Sequence, residues 1–170
     1  GVFLNKNYGQ QFATLAGLKV SGGEFVLSMD DDLSHRPEDI LRLITVLEEG
    51  EYDAVFGLPK KSRSGLFRNV GSQLRDIIFT IFFKMPKELS VSSFRVLRRS
   101  LVNMIISDIS EFRYLSVEIL KHTKAIANEE LEYKRDKQIN SRYSFIKLAN
   151  LAFSLIQCSS IFPERIRKSE

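Results

Sequence analysis

The sequence predicts an α/β protein, built from layers of helix and sheet. Short apolar segments that are typical of strands alternate along the chain with longer segments whose apolar residues recur at helical spacing. The 170 residues suffice for one domain with a hydrophobic core. A hydrophobic fraction of 44% and a charged fraction of 27% are ordinary for a globular protein. No repeat or low-complexity linker is present, so we expect a single domain over residues 1–170.

The first half of the chain carries clear signals for where its elements begin and end. An Asn- and Gly-containing turn at residues 5–9 precedes a helix with an apolar stripe that Gly22 and Gly23 terminate. Pro37 suits the first turn of a second helix, which ends at Gly50. We expect strands at residues 2–4, 25–29 (the central strand) and 53–57, and helices at residues 10–20, burying Phe12, Leu15, Ala16 and Leu18, and 37–49, burying Ile40, Leu43, Ile44 and Leu47.

The second half reads as helices separated by two further strands. Residues 125–133 alternate as a half-buried strand does, with Ile126, Leu131 and Tyr133 among the expected buried side chains. Two helices, around 77–83 and 145–156, are unusually apolar and bordered by cations, which fits either a buried core helix or a helix at a membrane interface. The expected helices are residues 67–84, 100–109, 114–122 and 144–157, and the expected strands are 94–97 and 125–133.

Three consecutive carboxylates, Asp30, Asp31 and Asp32, follow the apolar segment 25–29. Ligands of open α/β sheets bind at the carboxyl ends of strands. Neighbouring carboxylates repel one another unless a positive charge is held between them, and Mg²⁺ or Mn²⁺ suits such oxygen ligands. Because side chains alternate along an extended chain, Asp30 and Asp32 can face the same way. The motif therefore fits an Asp-x-Asp metal site for a nucleotide diphosphate, while a solvated acidic loop or a helix cap stays open as the alternative.

The charge distribution narrows the classes of partner. The net charge is +4, with an acidic region at 30–51 and basic regions at 60–75 and 134–142. Basic surfaces meet phosphates, anionic lipids or nucleic acid, but the basic residues here lack a recognised nucleic-acid-binding module, so no nucleic-acid partner is expected. Cys158 is the single cysteine, so an intrachain disulfide is excluded. No membrane-spanning segment or secretory signal is visible.

An ordered series of motifs resembles the family-2 glycosyltransferases of the polyprenyl-phosphate type, which include the undecaprenyl-phosphate and dolichyl-phosphate sugar transferases. The series covers nearly the whole chain in the order that the family shows. Its parts are Asn5-Lys-Asn-Tyr-Gly-Gln-Gln11, Ala16-Gly17, Gly23-Glu-Phe-Val26, Met29-Asp-Asp-Asp-Leu33, Arg36-Pro-Glu-Asp39, residues 53–57, Phe67-Arg68 with Ser72, Phe94-Arg-Val-Leu-Arg-Arg99 and Ser141-Arg-Tyr-Ser-Phe-Ile-Lys-Leu148.

The resemblance implies a glycosyltransferase-A fold, with a Rossmann-like sheet and flanking helices. It implies that the N-terminal nucleotide-binding portion of the fold is missing, because the family's first strand, helix and second strand would precede Gly1. The family's transmembrane helices, where present, would follow Arg167. The chain is accordingly expected to be the C-terminal two-thirds of a catalytic domain.

The implied activity is the metal-dependent, inverting transfer of a sugar from a nucleotide-sugar to a polyprenyl phosphate at the cytoplasmic face of the membrane. Mg²⁺ or Mn²⁺ is the implied cofactor, with Asp32 as the direct ligand and Asp30 as a ribose or second metal contact. Arg95 is assigned with them to the catalytic residues, and Arg68 and Ser72 to the lipid phosphate. The residues assigned to substrate binding are Asn7, Gly9, Asp31, Arg68, Ser72, Arg135 and Arg142.

Some positions depart from the family pattern. Asp31 stands where the family often has Ala, and Ser34 where it often has a Gln that contacts metal or phosphate. Ser90 to Ser93 fill a region that often holds an acidic residue, and Arg142 replaces a Lys. These departures leave open the alternative of a truncated or degenerate non-catalytic domain. The sequence also leaves open whether copies of the chain associate as a homo-oligomer.

Overall fold

The structure is a computed structural model, and it describes residues 1–31, 35–60, 80, 85–86, 88–108 and 114–132. The chain divides into two compact units, one comprising Gly1–Lys61 and Leu89–Asp136 and the other Ser62–Glu88 and Lys137–Glu170. All the elements discussed below belong to the first unit. The expected single domain stays a prediction, and the two apolar helices expected near 77–83 and 145–156 fall in the second unit, almost wholly outside the described residues.

The elements of the first unit alternate between helix and strand much as the sequence predicts. They run, in chain order, α1 (Gln10–Val20), β1 (Phe25–Ser28), α2 (Pro37–Glu49), β2 (Ala54–Pro59), β3 (Arg95–Arg98), α3 (Arg99–Ser107), α4 (Leu115–His122) and β4 (Ile126–Leu131). Helices α1 and α2 have the predicted bounds, and the ends of the other elements differ from the predicted ones by at most two residues. Among the described residues, no helix is both long and apolar enough to cross a lipid bilayer.

The four described strands form one mixed sheet in the order β1-β3-β2-β4. Strand β3 is antiparallel to both of its neighbours, whereas β4 runs parallel to β2. The β1 segment was expected to be the central strand, but it lies at the edge of the described sheet. That expectation was wrong because the chain returns antiparallel through β3, which inserts between β1 and β2.

One face of the sheet packs on α2 and holds a dense apolar core. Leu43 and Leu47 of α2 are fully buried, as is Phe94 just before β3. Burial of such side chains stabilises the fold by about 1.5–3 kcal/mol each. Gly57 of β2 allows this close packing, because a Cβ there would lie 2.7 Å from Phe94 Cδ1 and 2.8 Å from Leu131 Cδ1.

The opposite face of the sheet is covered by the other helices. Helix α3 packs on β1 and β3, and α1 and α4 both contact α3. Two arginines where β3 passes into α3 donate hydrogen bonds to backbone carbonyls of neighbouring segments. Arg98 donates from Nε to the Tyr52 carbonyl at 2.7 Å, and Arg99 donates from Nε to the Gly23 carbonyl at 2.8 Å. The basic end of the Phe94–Arg99 motif is therefore structural.

Two expectations about the N-terminal region were wrong. Residues 2–4 do not form a strand, and the Phe3 side chain is 97% exposed. A strand is stable only when a neighbour satisfies its backbone groups, and the described sheet offers residues 2–4 none. Phe12 was expected on the buried face of α1 but is 51% exposed, because Leu15 and Leu18 carry the contact with the fold.

Candidate active site

Asp30 lies two residues beyond the end of β1, at the edge where β1 and β3 part. Ser28 of β1 is paired with Arg95 of β3 in antiparallel register. Continuing that register by two residues on each strand places Asp30 opposite Ser93. The Ser93 hydroxyl donates to Asp30 Oδ2 at 2.6 Å. The antiparallel pairing therefore places Ser93 opposite Asp30, and the hydrogen bond between them holds the carboxylate at the end of the sheet.

Helix α1 supplies the second hydrogen bond to this carboxylate. Gln10, its first residue, donates from Nε2 to Asp30 Oδ1 at 3.2 Å. The preceding turn places Gln10: Gly9 has a φ of 85°, and its backbone N–H donates to Asn7 Oδ1 at 2.8 Å. A φ in this range favours glycine. Asn7 and Gly9 thus build the turn that presents Gln10, and their predicted contact with substrate stays a prediction.

Arg95 lies on the same face of the sheet as Asp30 and is buried, with 6% of its surface exposed. Its Nη1 donates to Ser116 Oγ on α4 at 2.7 Å, and its guanidinium carbon lies 5.8 Å from the centre of the Phe56 ring. Its buried Nε has no hydrogen-bond partner in the described part of the chain. Burial lowers the pKa of Arg95 to about 10, and the nearby Asp30 charge acts in the opposite direction. A direct catalytic role for Arg95 stays a prediction.

The bonds from Gln10 and Ser93 meet at the Asp30 carboxylate, and the bond from Arg95 to Ser116 lies on the same face of the sheet. We call Gln10, Asp30, Ser93, Arg95 and Ser116 the Asp30 cluster. A backbone contact reinforces it, because Leu115 at the start of α4 donates its N–H to Gln11 Oε1 at 3.3 Å. The N-terminal ends of α1 and α4 are therefore tied to each other as well as to the sheet.

The side-chain amide of Asn128 holds the segment that leads to Ser93. Ser90 donates its N–H to Asn128 Oδ1 at 2.8 Å, and Asn128 Nδ2 donates back to the Ser90 carbonyl at 2.9 Å. The two groups donate to and accept from each other, as the backbone groups of two paired residues do in an antiparallel sheet. Asn128 of β4 therefore holds the segment that leads into β3 and sets where Ser93 meets Asp30.

The donor set at Asp30 suits a hard divalent cation. Each carboxylate oxygen accepts one described hydrogen bond and has a second acceptor site available. Asp31 is exposed next to it. Within the described ranges, no group of three or more His, Cys, Asp or Glu side chains converges as a closed metal cage. An open site of one or two carboxylates completed by phosphate and water oxygens is the arrangement that Mg²⁺ favours, and Asp30 fits it.

The structure brings together only part of the predicted site. Asp30 and Arg95 share one face of the sheet at the β1–β3 edge, and Asn7 and Gly9 lie at the turn before Gln10. Three residues of the Asp30 cluster were not given a role from the sequence: Gln10, Ser93 and Ser116. The antiparallel register is the signal that finds Ser93. The remaining predicted site residues lie outside the described ranges: Asp32, Arg68, Ser72, Arg135 and Arg142.

Comparisons with known sequences agree with the motif series. The family model described as "Glycosyl transferase family 2" matches residues 2–124. An undecaprenyl-phosphate 4-deoxy-4-formamido-L-arabinose transferase of Proteus mirabilis (strain HI4320) is 30% identical over 167 residues, and the same-named protein of Serratia proteamaculans (strain 568) is 32% identical over 171 residues. Each alignment covers 97% of this chain and 50% of the relative, so the chain spans about half the length of these curated relatives.

A solved structure with the same fold is mannosyl-3-phosphoglycerate synthase from Rubrobacter xylanophilus. The TM-score is 0.58 with 18% sequence identity, over 96% of this chain and 53% of that one. At this identity the likeness bears on the fold alone. It confirms the predicted glycosyltransferase-A fold, with a sheet flanked by helices.

Proposed function

Because this chain belongs to glycosyl transferase family 2, as the motif series predicts, we propose that its natural protein transfers a sugar from a nucleotide-sugar to a polyprenyl phosphate. The names of the relatives support this acceptor, since each is called an undecaprenyl-phosphate transferase. The relatives are about twice as long as this chain, so the activity is proposed for the whole natural protein.

The observation that carries the proposal is the geometry of Asp30. A carboxylate at the end of a strand is held by Gln10 and Ser93, each of which occupies one of its oxygens and leaves acceptor capacity on both. A purely structural carboxylate would be expected to pair with a cation or to cap a helix. In the described part of the chain, Asp30 makes no direct ion pair and caps no helix; the cation whose charge acts on it, Arg95, donates its hydrogen bond to Ser116.

The chemistry needs placement more than acid–base catalysis. A phosphate monoester has a second pKa of about 6, so the acceptor is already ionised near neutral pH. We propose that its oxygen attacks C1 of the sugar while the bond from C1 to the nucleotide diphosphate breaks and the diphosphate takes the bonding electrons. A single displacement of this kind inverts the configuration at C1.

Asp30 and Asp32 are the residues that would hold the divalent cation in this proposal. When bound, Mg²⁺ or Mn²⁺ offsets the negative charge that develops on the departing diphosphate. Gln10 and Ser93 keep the Asp30 carboxylate in one orientation, which avoids reorganisation during the reaction. Ser93 belongs to the region, residues 90–93, in which the family often has an acidic residue.

A calorimetric titration of Mn²⁺ with a panel of nucleotide-sugars tests the proposal, on the natural protein and on this chain. We expect one nucleotide-sugar to bind only when Mn²⁺ is present. A folded natural protein that binds no nucleotide-sugar under either condition would favour the alternative, a degenerate non-catalytic domain.

Arg68→Ala is expected to raise the KM for polyprenyl phosphate. The rise should correspond to a loss of ~2–3 kcal/mol of binding free energy for a charge-assisted contact that is partly shielded from water. The family resemblance assigns Arg68 to the lipid phosphate, where a guanidinium binds two oxygens at once. Arg68→Lys should restore only part of the loss, because an ammonium cannot reproduce that fork. Steady-state kinetics with each substrate varied in turn measures the KM for polyprenyl phosphate and the KM for the nucleotide-sugar in both variants.

The matched control is Lys60→Ala. Lys60 is exposed, and its ammonium lies 3.8 Å from an oxygen of the equally exposed Glu132. Removing it should change KM little, and the change should fade with salt. If Arg68→Ala instead weakens nucleotide-sugar binding and spares the lipid dependence, Arg68 has been assigned to the wrong substrate.

The proposed site of action is the cytoplasmic face of the membrane. The apolar segments at 77–83 and 145–156 are the proposed contacts with lipid, and both lie outside the described residues or nearly so. Flotation of the protein with anionic and neutral liposomes tests this location. Indifference to both kinds of liposome would contradict it.

A further inference from the structure

We propose that Arg95 is a positioning residue that keeps a divalent cation from binding tightly to Asp30 on its own. Its buried guanidinium serves as the positive charge beside Asp30 until a nucleotide diphosphate arrives, so that cation and nucleotide bind together. This inference rests on the proposed function, in which Asp30 helps to hold the cation.

The position of Arg95 is fixed from three sides. β-sheet pairing on both edges of β3 sets its backbone, with Ser28 on one side and Phe56 on the other. Ser116 accepts from Nη1 at 2.7 Å on the helical side. The guanidinium therefore cannot turn toward a substrate without breaking this partly buried hydrogen bond.

The charge of Arg95 is not neutralised by an ion pair among the described residues. Its described contacts are with a hydroxyl and an aromatic ring, and its Nε has no hydrogen-bond partner. A buried cation without an ion pair is costly to the fold. The carboxylate whose charge acts on it is that of Asp30, which opposes the fall in its pKa that burial causes.

A second cation at Asp30 would meet the repulsion of this fixed charge. Charges inside a protein interact more strongly than in water, because the surrounding dielectric constant is low. For a separation taken as about 10 Å, the repulsion between a +2 ion and a +1 group weakens binding by roughly fourfold in water and by more than about a hundredfold at an effective dielectric constant of about 20, so a value on the order of tenfold is expected for a partly exposed site. A nucleotide diphosphate brings negative charges of its own, which offset the repulsion. The cation should therefore bind far more tightly when the nucleotide diphosphate is bound as well.

This role and a purely structural role predict opposite signs. If Arg95 only supports the fold, removing it loosens the Asp30 cluster and Mn²⁺ binds more weakly. If Arg95 repels the cation, replacing it with a neutral side chain of similar shape tightens the binding of Mn²⁺ alone. The sign of one affinity change therefore separates the two.

The test is calorimetric titration of Mn²⁺ alone into the natural protein and its variants. We expect Arg95→Met to lower the Kd for Mn²⁺ about tenfold in the absence of nucleotide. Arg95→Lys keeps the charge and should leave that Kd within about threefold. Circular dichroism confirms that each variant is folded.

A folded Arg95→Met variant that binds Mn²⁺ equally well or more weakly would overturn the inference. If Arg95→Met does not fold, Arg95→Gln takes its place, because glutamine is neutral and keeps an amide that can hydrogen-bond to Ser116. A folded Arg95→Gln variant must then bind Mn²⁺ alone about tenfold more tightly than the wild-type protein, and equal or weaker binding overturns the inference. Absence of Mn²⁺ binding even with nucleotide would overturn the proposed function itself, which keeps the two failures distinct.

Discussion

Replacing Asp32 with asparagine in the natural protein is expected to lower the rate of sugar transfer by about 10²–10³-fold, and Asp30→Asn should also lower it strongly. Asparagine keeps the shape of the side chain but loses the negative charge that the cation needs. Each Asp30 partner can adapt to the amide, because the Ser93 hydroxyl can rotate and the Gln10 amide can turn over. The loss should therefore appear in turnover while the unfolding temperature changes little.

Asp31→Ala is the matched control, because Asp31 is an exposed neighbour of Asp30 in the same acidic run. Its effect on turnover should be mild. Rates are measured at saturating Mn²⁺, so that a weakened metal site is not mistaken for a lost one. Equal losses at all three positions, or transfer that does not depend on metal, would contradict the assignment of Asp30 and Asp32.

Phe94→Ala is expected to destabilise the chain by about 3–5 kcal/mol, which is a large part of the stability of a typical domain. Phe94 is fully buried, stacks on the His35 ring at 4.1 Å and fills the space that Gly57 leaves open. Truncation would leave a cavity between α2 and the sheet. Since Phe94 lies between Ser93 and Arg95, the same change should disturb the Asp30 cluster.

Urea unfolding followed by circular dichroism measures this cost. Phe12→Ala is the control, because the same side chain is removed from a position on α1 that is 51% exposed. Its cost should be below about 1 kcal/mol. Similar costs at the two positions would contradict the described packing of Phe94.

The sequence predicts the bounds of α1 and α2 well because their signals are local. Pro37 and Gly50 mark the ends of α2, and an apolar stripe at helical spacing marks its buried face. The strand predicted at residues 2–4 is absent because β-propensity measures only how well side chains fit a pleated surface. It carries no information on whether a neighbouring strand is present to pair with. Phe12 misleads because apolar spacing cannot tell which of several apolar side chains faces the core.

The candidate site was predictable where it depends on one short segment. The acidic run identifies Asp30, and alternation places Arg95 on the opposite face from Phe94. The partners of Asp30 depend on contacts between distant segments, since Gln10 is 20 residues away along the chain and Ser93 is 63. The antiparallel pairing of β1 with β3 brings Ser93 to Asp30, and the turn before α1 brings Gln10. The β1–β3 register alone identifies Ser93, whereas Ser116 lies on α4 and depends on how that helix packs.

The most direct test of the central claim is transfer of labelled sugar by the purified natural protein. A panel of labelled nucleotide-sugars is incubated with a polyprenyl phosphate in detergent, with Mn²⁺ or with a chelator, and label is counted in the lipid extract. We expect lipid-linked label from one nucleotide-sugar, only with metal, and almost none from the Asp32→Asn variant. Folded protein that yields no lipid-linked sugar from any donor would contradict the claim.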